Sequence, residues 1–216
     1  MHNPLKSHRI QLIQLVGTLA IIAFVPTNLG KLVALLIWWV ITFRHITRPE
    51  LMMFVIACGF FTVMNALSLK QGIFAFAHPD ILGMPFYELF MWGFYLLHTR
   101  RMINGPAPED RRVVVWTLAL LYSAAFGMIP DQTVLLALTV LLLTVGLIFF
   151  HEPLDITYTG YMILLGAAIE YTGTLSKQWF YPGEPLGGVP LWFITLWGGV
   201  GLFLRRLVLP ILARYP

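Results

Sequence analysis

The sequence predicts an all-α fold, a polytopic membrane bundle of eight transmembrane helices built as a tandem repeat of four plus four. Three observations lead to this prediction: the composition is apolar, eight apolar segments can be recognised, and one motif recurs at a constant spacing. Hydrophobic residues make up 58% of the 216 residues and charged residues 11%, whereas a soluble domain carries roughly a quarter charged residues. A chain of this size cannot bury so much apolar surface in one water-soluble core, so lipid is expected to solvate much of it.

The eight segments are each too hydrophobic to be helices on the surface of a soluble protein. They cover residues 10–25, 29–43, 51–66, 85–97, 113–129, 133–150, 156–171 and 190–204. A membrane span takes about 20 residues, and the second, fourth and eighth segments have fewer. Flanking Arg, Trp and Tyr side chains are expected to extend these three, because long side chains can reach the membrane interface from a buried backbone.

Positive charges predict the orientation of the segments. With a cytoplasmic amino terminus and eight crossings, the 14 Lys and Arg residues divide into eleven on the cytoplasmic side and three outside. Cytoplasmic loops carry the excess of Lys and Arg in membrane proteins, so both termini are expected in the cytoplasm. The expected location is a bacterial inner membrane, crossed several times. No region is large enough for a nucleic-acid-binding domain, so no nucleic acid is expected as a partner.

The recurring motif combines Gly-x-Pro, Trp-Gly and Arg-Arg. Its first copy comprises Gly83, Pro85, Trp92, Gly93, Arg100 and Arg101, and its second comprises Gly188, Pro190, Trp197, Gly198, Arg205 and Arg206. Each residue and its counterpart are 105 positions apart, near half the chain length, which is what a duplicated gene leaves. We therefore expect a first repeat at 1–104 and a second at 105–216 within one membrane domain. Four crossings is an even number, so the repeats should share one orientation about an axis along the membrane normal.

Two outer loops, at 67–84 and 172–189, are longer than the others and equivalent under the repeat. Each carries a Lys-Gln pair, aromatic residues and an acid, and each leads into the next helix through Gly-x-Pro. Loops of this kind can lie at membrane depth where they line a cavity and do not face lipid. A central cavity is therefore expected near the outer side.

Two acids inside the predicted helices are the main candidate catalytic residues. Glu88 lies one turn inside the fourth segment, and Glu170 lies near the outer end of the seventh. An ionisable group inside a span is costly and indicates function, and both side chains could face one cavity. A carboxyl in apolar surroundings can stay protonated and donate its proton. The alternative for each acid is a structural hydrogen bond to a neighbouring backbone, to Lys70 or to Lys177.

The duplicated positions of these acids have diverged. The counterpart of Glu170 in the first repeat is Asn65, and the counterpart of Glu88 in the second repeat is Phe193. Such divergence is expected when one asymmetric site is built from two similar halves. Asn65 is accordingly a candidate substrate-binding residue.

The first outer loop adds two candidates, Asp80 as a catalytic acid and His78 as a substrate-binding residue. With Glu88 they could bind a metal, but the helices contain no His-x-x-x-His or Glu-x-x-His pair, the spacings that place ligands on one helix face. Neither a metal nor a cofactor is therefore expected.

Aromatic residues gather near the outer interface, with Tyr87, Trp179, Tyr181 and Trp192 as the candidates for substrate binding. An interfacial belt is one interpretation, because Trp and Tyr are enriched where membrane meets water. The other is a cage of ring faces around a hydrophobic ligand or a carbocation, since cations are attracted to those faces.

Parts of these regions resemble known families. Glu-Tyr-Thr-Gly-Thr at 170–174, Trp-Phe-Tyr at 179–181 and Leu-Gly-Gly-Val-Pro-Leu at 186–191 resemble segments of membrane carotenoid hydratases. Gly-Met-Pro-Phe-Tyr-Glu at 83–88 is similar to the Gly-x-Pro-x-Glu-Glu element of the small lycopene cyclases that are built from two related membrane halves. This chain departs from the cyclase element in having Tyr87 in place of the first acid.

The resemblance implies an integral-membrane enzyme that acts on the terminal double bonds of a long isoprenoid. It further implies Glu170 and Glu88 as candidate acids, and Trp179 and Tyr181 as residues lining the pocket. A hydrophobic lipid and the membrane would then be the partners.

Three functions follow as hypotheses. The first is acid-initiated hydration or cyclisation of a terminal alkene, in which Glu170 or Glu88 protonates the alkene and water or an internal alkene ends the reaction. The second is a carrier or channel for a small solute, since parallel repeats around a cavity also suit transporters, although few polar residues are available to line a path. The third is a small subunit or assembly factor of a larger membrane complex. The sequence leaves the oligomeric state open, including association of identical copies.

Overall fold

The computed structural model describes residues 4–183 and 186–214, and helices account for most of them. The eight main helices are α1 (Pro4–Phe24), α2 (Asn28–Phe43), α3 (Arg48–Lys70), α4 (Glu88–Met102), α5 (Arg112–Met128), α6 (Gln132–Phe149), α7 (Pro153–Leu175) and α8 (Trp192–Phe203). A π-helical turn, Leu204–Val208, continues α8 into the short α9, Leu209–Leu212. The prediction of an all-α fold is confirmed, and the last helix runs further than its apolar segment suggested.

Length and composition qualify three of the described helices to cross a membrane. They are Arg48–Lys70, Gln132–Phe149 and the continuous run Trp192–Leu212, whereas His8–Phe24, Asn28–Phe43 and Arg112–Met128 are apolar but shorter. The fourth helix is short because the chain before Glu88 forms turns and not a helix. Large apolar side chains such as Phe24, Val40 and Ile148 are exposed on the outer helices. A surface of that kind suits lipid contact.

The centre of the bundle is formed by α4 and α8. Residues 91–99 of α4 are all buried, so this helix is enclosed on every side. α3 packs against α4, and α7 packs against α8. α1 contacts α2 and α7, while α5 contacts α6 and α3. Exchanging the first four helices for the second four therefore preserves these contacts.

A buried polar network fixes α4 against α1, α2 and α7. Gln14 Nε2 donates to Thr42 Oγ1 at 2.8 Å, which leaves Gln14 Oε1 to accept from His98 Nδ1 at 3.1 Å. The other ring nitrogen of His98, Nε2, accepts a hydrogen bond from Tyr161 Oη at 2.7 Å. Neutral His carries one donor and one acceptor nitrogen, so this arrangement satisfies both.

α3 and α7 have the same length and the same ends. Both contain 23 residues, and the differences 153 − 48 and 175 − 70 are each 105. Each begins with a capping box, formed by Thr47 with Glu50 and by Glu152 with Asp155. Reciprocal hydrogen bonds of this kind satisfy the free N–H groups of the first turn. Glu50 lies near a helix end, where a solvated side chain is expected. The structure instead buries it against Arg101.

The two helices also end alike. Ile73 N donates to Ser68 O, and Gln178 N donates to Gly173 O, 105 positions later. Gly72 and Lys177 both adopt positive φ, at 71° and 58°. The backbone thus aligns Lys177 with Gly72, so the repeat spacing of 105 continues here without a gap.

The two outer loops meet in a short antiparallel ladder that the sequence did not predict. β1 (Ala75–Phe76) pairs with β2 (Trp179–Phe180), with Ala75 opposite Phe180 and Phe76 opposite Trp179. Ala75 and Phe180 are 105 positions apart, so this pair joins two equivalent positions. The ladder brings Trp179 over the end of α7.

Candidate functional site

Glu170 on α7 is buried, and three side chains bind its carboxyl. Tyr181 Oη and Trp179 Nε1 donate to Oε2 at 2.6 Å and 3.0 Å. Trp197 Nε1 donates to Oε1 at 3.1 Å. An indole N–H can only donate, so each carboxyl oxygen must offer a lone pair to one tryptophan. Glu170 is thereby fixed in position by α8 and by the outer loop.

Two glycines of α7 allow the tryptophans to approach Glu170. A Cβ at Gly173 would lie 1.9 Å from the Trp179 ring, and a Cβ at Gly166 would lie 2.2 Å from the Trp197 ring. Both indoles therefore lie directly on the helix backbone. Since both rings are buried, neither can move aside without disturbing its neighbours.

Gly173→Ala is expected to destabilise the protein by about 1–3 kcal/mol, because the new methyl group overpacks a filled site. Gly160→Ala is the matched control on the same helix, since a Cβ there has no neighbour within 4 Å. That control is expected to stabilise the helix by up to about 1 kcal/mol. Thermal unfolding in detergent measures both changes, and equal midpoints for the two variants would contradict the packing described.

Glu88 is the first residue of α4 and not one turn inside it as predicted, and it lines the same small cavity as Glu170. In the described part of the chain it receives one hydrogen bond, from Asn65 Nδ2 to Oε1 at 3.1 Å. The small cavity has a volume of about 50 Å³. Asn65 lines it too, from α3. The structure therefore brings together Glu88, Glu170 and Asn65, the counterpart of Glu170 in the first repeat.

The small cavity has aromatic walls. Trp92 and Trp197 stack with centroids 4.8 Å apart and planes inclined by 23°. Tyr95 packs edge-on against both rings, at 5.5 Å and 5.0 Å. Sequence reasoning recognised both tryptophans as part of the repeat but did not assign them to the site. Their repetition beside Gly93 and Gly198 was the available indication.

A second, larger cavity of about 360 Å³ adjoins the small one. Its walls come from α3, α4, α5, α8, α9, the π-helical turn and the first outer loop, and almost all of its lining side chains are apolar. Asn65, Phe74, Trp92, Trp192 and Leu196 line both cavities. The two cavities therefore share a wall, which places the large apolar cavity next to the carboxyl pair.

Trp179, Tyr181 and Trp192, three of the four aromatic candidates, line the small cavity. Tyr87 is buried outside both cavities, with Lys31 Nζ 5.7 Å from its ring centroid. The interpretation as an interfacial belt fails for these four residues, because all of them are buried.

Asp80 and His78 lie in the exposed part of the first outer loop, away from both cavities. Asp80 Oδ2 accepts from Asn28 Nδ2 at 2.8 Å and from Phe86 N at 3.0 Å. Asn28 also donates to His78 O at 2.6 Å. These contacts tie the loop to α2. Within residues 4–183 and 186–214, no three His, Cys, Asp or Glu side chains are grouped to hold a metal ion.

These features define an all-helical protein with helices of membrane-spanning length and a carboxyl pair, buried Glu170 and half-buried Glu88, beside an apolar cavity. No protein-family profile and no curated protein matches the chain. Among solved structures it is similar to the crystal structure of a cross-linked MvINS trimer, with a TM-score of 0.68 and 13% sequence identity. The match covers 80% of this chain and 98% of that one. At this identity, the likeness demonstrates a common fold.

Proposed function

We propose that this chain is an integral-membrane enzyme that binds a long isoprenoid-like lipid and hydrates or cyclises its terminal alkene at Glu88 and Glu170. The observation that carries the proposal is the apolar cavity of about 360 Å³ that adjoins a small cavity lined by two carboxyls. An apolar pocket with a few convergent polar groups is the usual form of a site for a hydrophobic ligand. The lipid chain occupies the large cavity, and its end reaches the small one.

In this proposal the reaction starts with proton transfer from Glu88. The proton adds to the terminal alkene carbon, the π electrons form the new C–H bond, and a cation develops on the more substituted carbon. In hydration, water adds to the cation and returns a proton to Glu88. In cyclisation, an internal alkene attacks the cation and forms the new C–C bond, and a carbon next to the resulting cation then loses a proton to Glu88. Neither route requires a cofactor.

The hydrogen bonds support different roles for the two acids. Both oxygens of Glu170 accept from indoles, so this group suits a fixed carboxylate near the cation. Within the described residues, the carboxyl of Glu88 receives one hydrogen bond, from Asn65, and its other oxygen is left for the substrate. The stacked rings of Trp92 and Trp197 offer faces that attract a cation.

The finer architecture belongs to the same proposal: eight crossings, two parallel repeats and cytoplasmic termini. Two contacts between equivalent positions support it, because Ala75 pairs with Phe180 and Trp92 stacks on Trp197. Residues that meet their own counterparts lie on a twofold axis. Self-association is compatible with the proposal, since the similar MvINS was crystallised as a cross-linked trimer.

The apolar lining favours a lipid over a small hydrated solute, because a polar solute would lose its hydration without gaining hydrogen-bond partners. Transport and a role as an assembly factor are therefore the weaker hypotheses.

Ala119→Phe is expected to weaken or remove lipid binding, because Ala119 lines the large cavity and the added ring occupies part of its space. Ala124→Phe is the control on the same helix, since Ala124 is exposed and outside the lining. Each protein is purified in detergent, and its lipid extract is quantified by mass spectrometry. We expect an isoprenoid lipid with the native chain and the control, and its reduction or loss with Ala119→Phe. Equal lipid content in all three, or no enrichment over bulk membrane lipid, would count against the function.

A further inference from the structure

We propose that the small cavity is a binding site for one hydroxyl oxygen, which accepts a hydrogen bond from Trp192 and forms a second hydrogen bond with Glu88. The inference rests on the proposed lipid site and adds the chemical class of the group that lies at its end. The hydroxyl belongs either to a lipid alcohol or to a water molecule.

Trp192 supplies the first requirement. Its side chain is buried, with 4% of its surface exposed, and Nε1 has no hydrogen-bond partner in the described residues. Leaving such a donor unpaired costs about 1–3 kcal/mol. The ring is held edge-on against Phe126 at 5.8 Å and Tyr181 at 5.6 Å. Because an indole N–H only donates, the occupant beside it must accept a hydrogen bond.

Glu88 supplies the second requirement. It lines the same cavity as Trp192, and Asn65 donates to its Oε1. The remaining oxygen carries the proton when Glu88 is protonated and accepts a hydrogen bond when Glu88 is ionised. A hydroxyl oxygen has two lone pairs and one proton, so it can accept from Trp192 and form a hydrogen bond with Glu88 in either state. An ammonium group has no lone pair for the indole, and an anionic oxygen would face two carboxyls.

The size of the cavity sets the third limit. One water needs a cavity volume of about 10–15 Å³, and this cavity has a volume of about 50 Å³. It holds a hydroxyl group with a few neighbouring atoms, or a few waters. The remainder of a long lipid must occupy the larger cavity, whose shared wall includes Trp192.

The experiment compares farnesol with farnesene, its hydrocarbon counterpart without the hydroxyl group. The protein in lipid nanodiscs carries nitrogen-labelled tryptophan, and the Trp192 indole resonance is assigned by its loss in Trp192→Phe. Binding of both radiolabelled compounds is measured for the native chain, for Trp192→Phe and for Trp116→Phe. Trp116 is the matched control, because it lines the large cavity but not the small one.

If the hydroxyl comes from a lipid, farnesol moves the Trp192 resonance and farnesene does not. Trp192→Phe then weakens farnesol binding roughly fivefold and leaves farnesene binding unchanged, while Trp116→Phe does not discriminate between the two compounds. If the hydroxyl is water, neither compound moves the resonance, and the indole proton retains a magnetisation-transfer peak to water.

The inference is overturned if the Trp192 indole proton neither contacts water nor responds to farnesol, and if the native and Trp192→Phe proteins bind farnesol equally. The native resonance decides the result even where Trp192→Phe fails to fold. Absence of binding by both compounds contradicts the proposed lipid site, and the water peak still tests the hydroxyl site separately.

Discussion

Replacing Glu88 with glutamine is expected to lower product formation at least about a hundredfold, because proton donation by a positioned acid contributes roughly 10²–10⁴ in rate. Glutamine keeps the shape of the side chain and its hydrogen bond from Asn65 but cannot give a proton to an alkene. The measurement is pigment analysis of a lycopene-producing host that expresses the native chain or the variant. Loss of the product with unchanged protein abundance is the expected result.

Glu109→Gln is the control for this substitution. Glu109 is exposed in the connection between α4 and α5, where its carboxyl lies 3.8 Å from Arg111. The same chemical change at that position should leave the pigment as it is with the native chain. Full activity of Glu88→Gln would remove Glu88 as the proton donor, and no pigment change with the native chain would count against the enzyme itself.

Glu170→Gln should behave differently from Glu88→Gln. An amide offers one acceptor oxygen and an NH₂ group, so one of the indole N–H groups of Trp179 and Trp197 would face another donor. A loss of stability is therefore expected together with a loss of product, whereas Glu88→Gln should affect the product alone.

Arg206→Ala is expected to destabilise the protein by up to about 3–5 kcal/mol, the cost of breaking a buried ion pair. It removes both guanidinium hydrogen bonds to Asp155 and leaves that carboxylate only the ion-pair contact with Arg205 Nε at 3.3 Å. Arg206 Nε donates to Asp155 Oδ1 at 2.7 Å, and the Asp155 side chain has no exposed surface. The guanidinium also lies over the Phe150 ring, 4.9 Å from its centroid. Thermal and denaturant unfolding in detergent measure the loss of free energy.

Arg111→Ala is the matched control, because the Arg111–Glu109 pair is exposed and such pairs contribute about 0–1 kcal/mol. Arg101→Ala tests the repeat, because Arg101 and Glu50 form an ion pair and lie 105 positions before Arg206 and Asp155, respectively. It should be the second most damaging of the three substitutions. If Arg206→Ala unfolds at the same denaturant concentration as Arg111→Ala, the ion pair does not stabilise the bundle.

The sequence predicted the helices because each contains an apolar run, and α2, α3, α6 and α7 also begin with a capping side chain. Glu152 and Asp155, for example, are acids directly before an apolar segment, and they form the N-terminal cap of α7. Glu88 and Glu170 were found because an acid inside such a run is costly. The spacing of 105 then indicated that Asn65 and Phe193 occupy the positions that correspond to Glu170 and Glu88.

The rest depends on packing that a linear pattern does not encode. Residues that line the large cavity, such as Phe60 and Leu120, are as apolar as residues that face lipid, so sequence does not separate them. Asp80 shares its loop with aromatic residues that reach the cavity, but hydrogen bonds from Asn28 Nδ2 and Phe86 N hold it at the surface. The role of Trp197 requires Gly166 beneath its ring, a contact between two helices that only the folded chain reveals.

The most direct test of the central claim is photolabelling with a long isoprenoid that carries a diazirine at its terminal carbon. The protein in nanodiscs is irradiated with this probe, and labelled residues are mapped by mass spectrometry. We expect labels at Glu88 and Trp192, and we expect an excess of unlabelled lipid or the Ala119→Phe substitution to reduce this labelling. Labels confined to lipid-facing residues such as Val40 and Ile148, with none at the carboxyl pair, would contradict it.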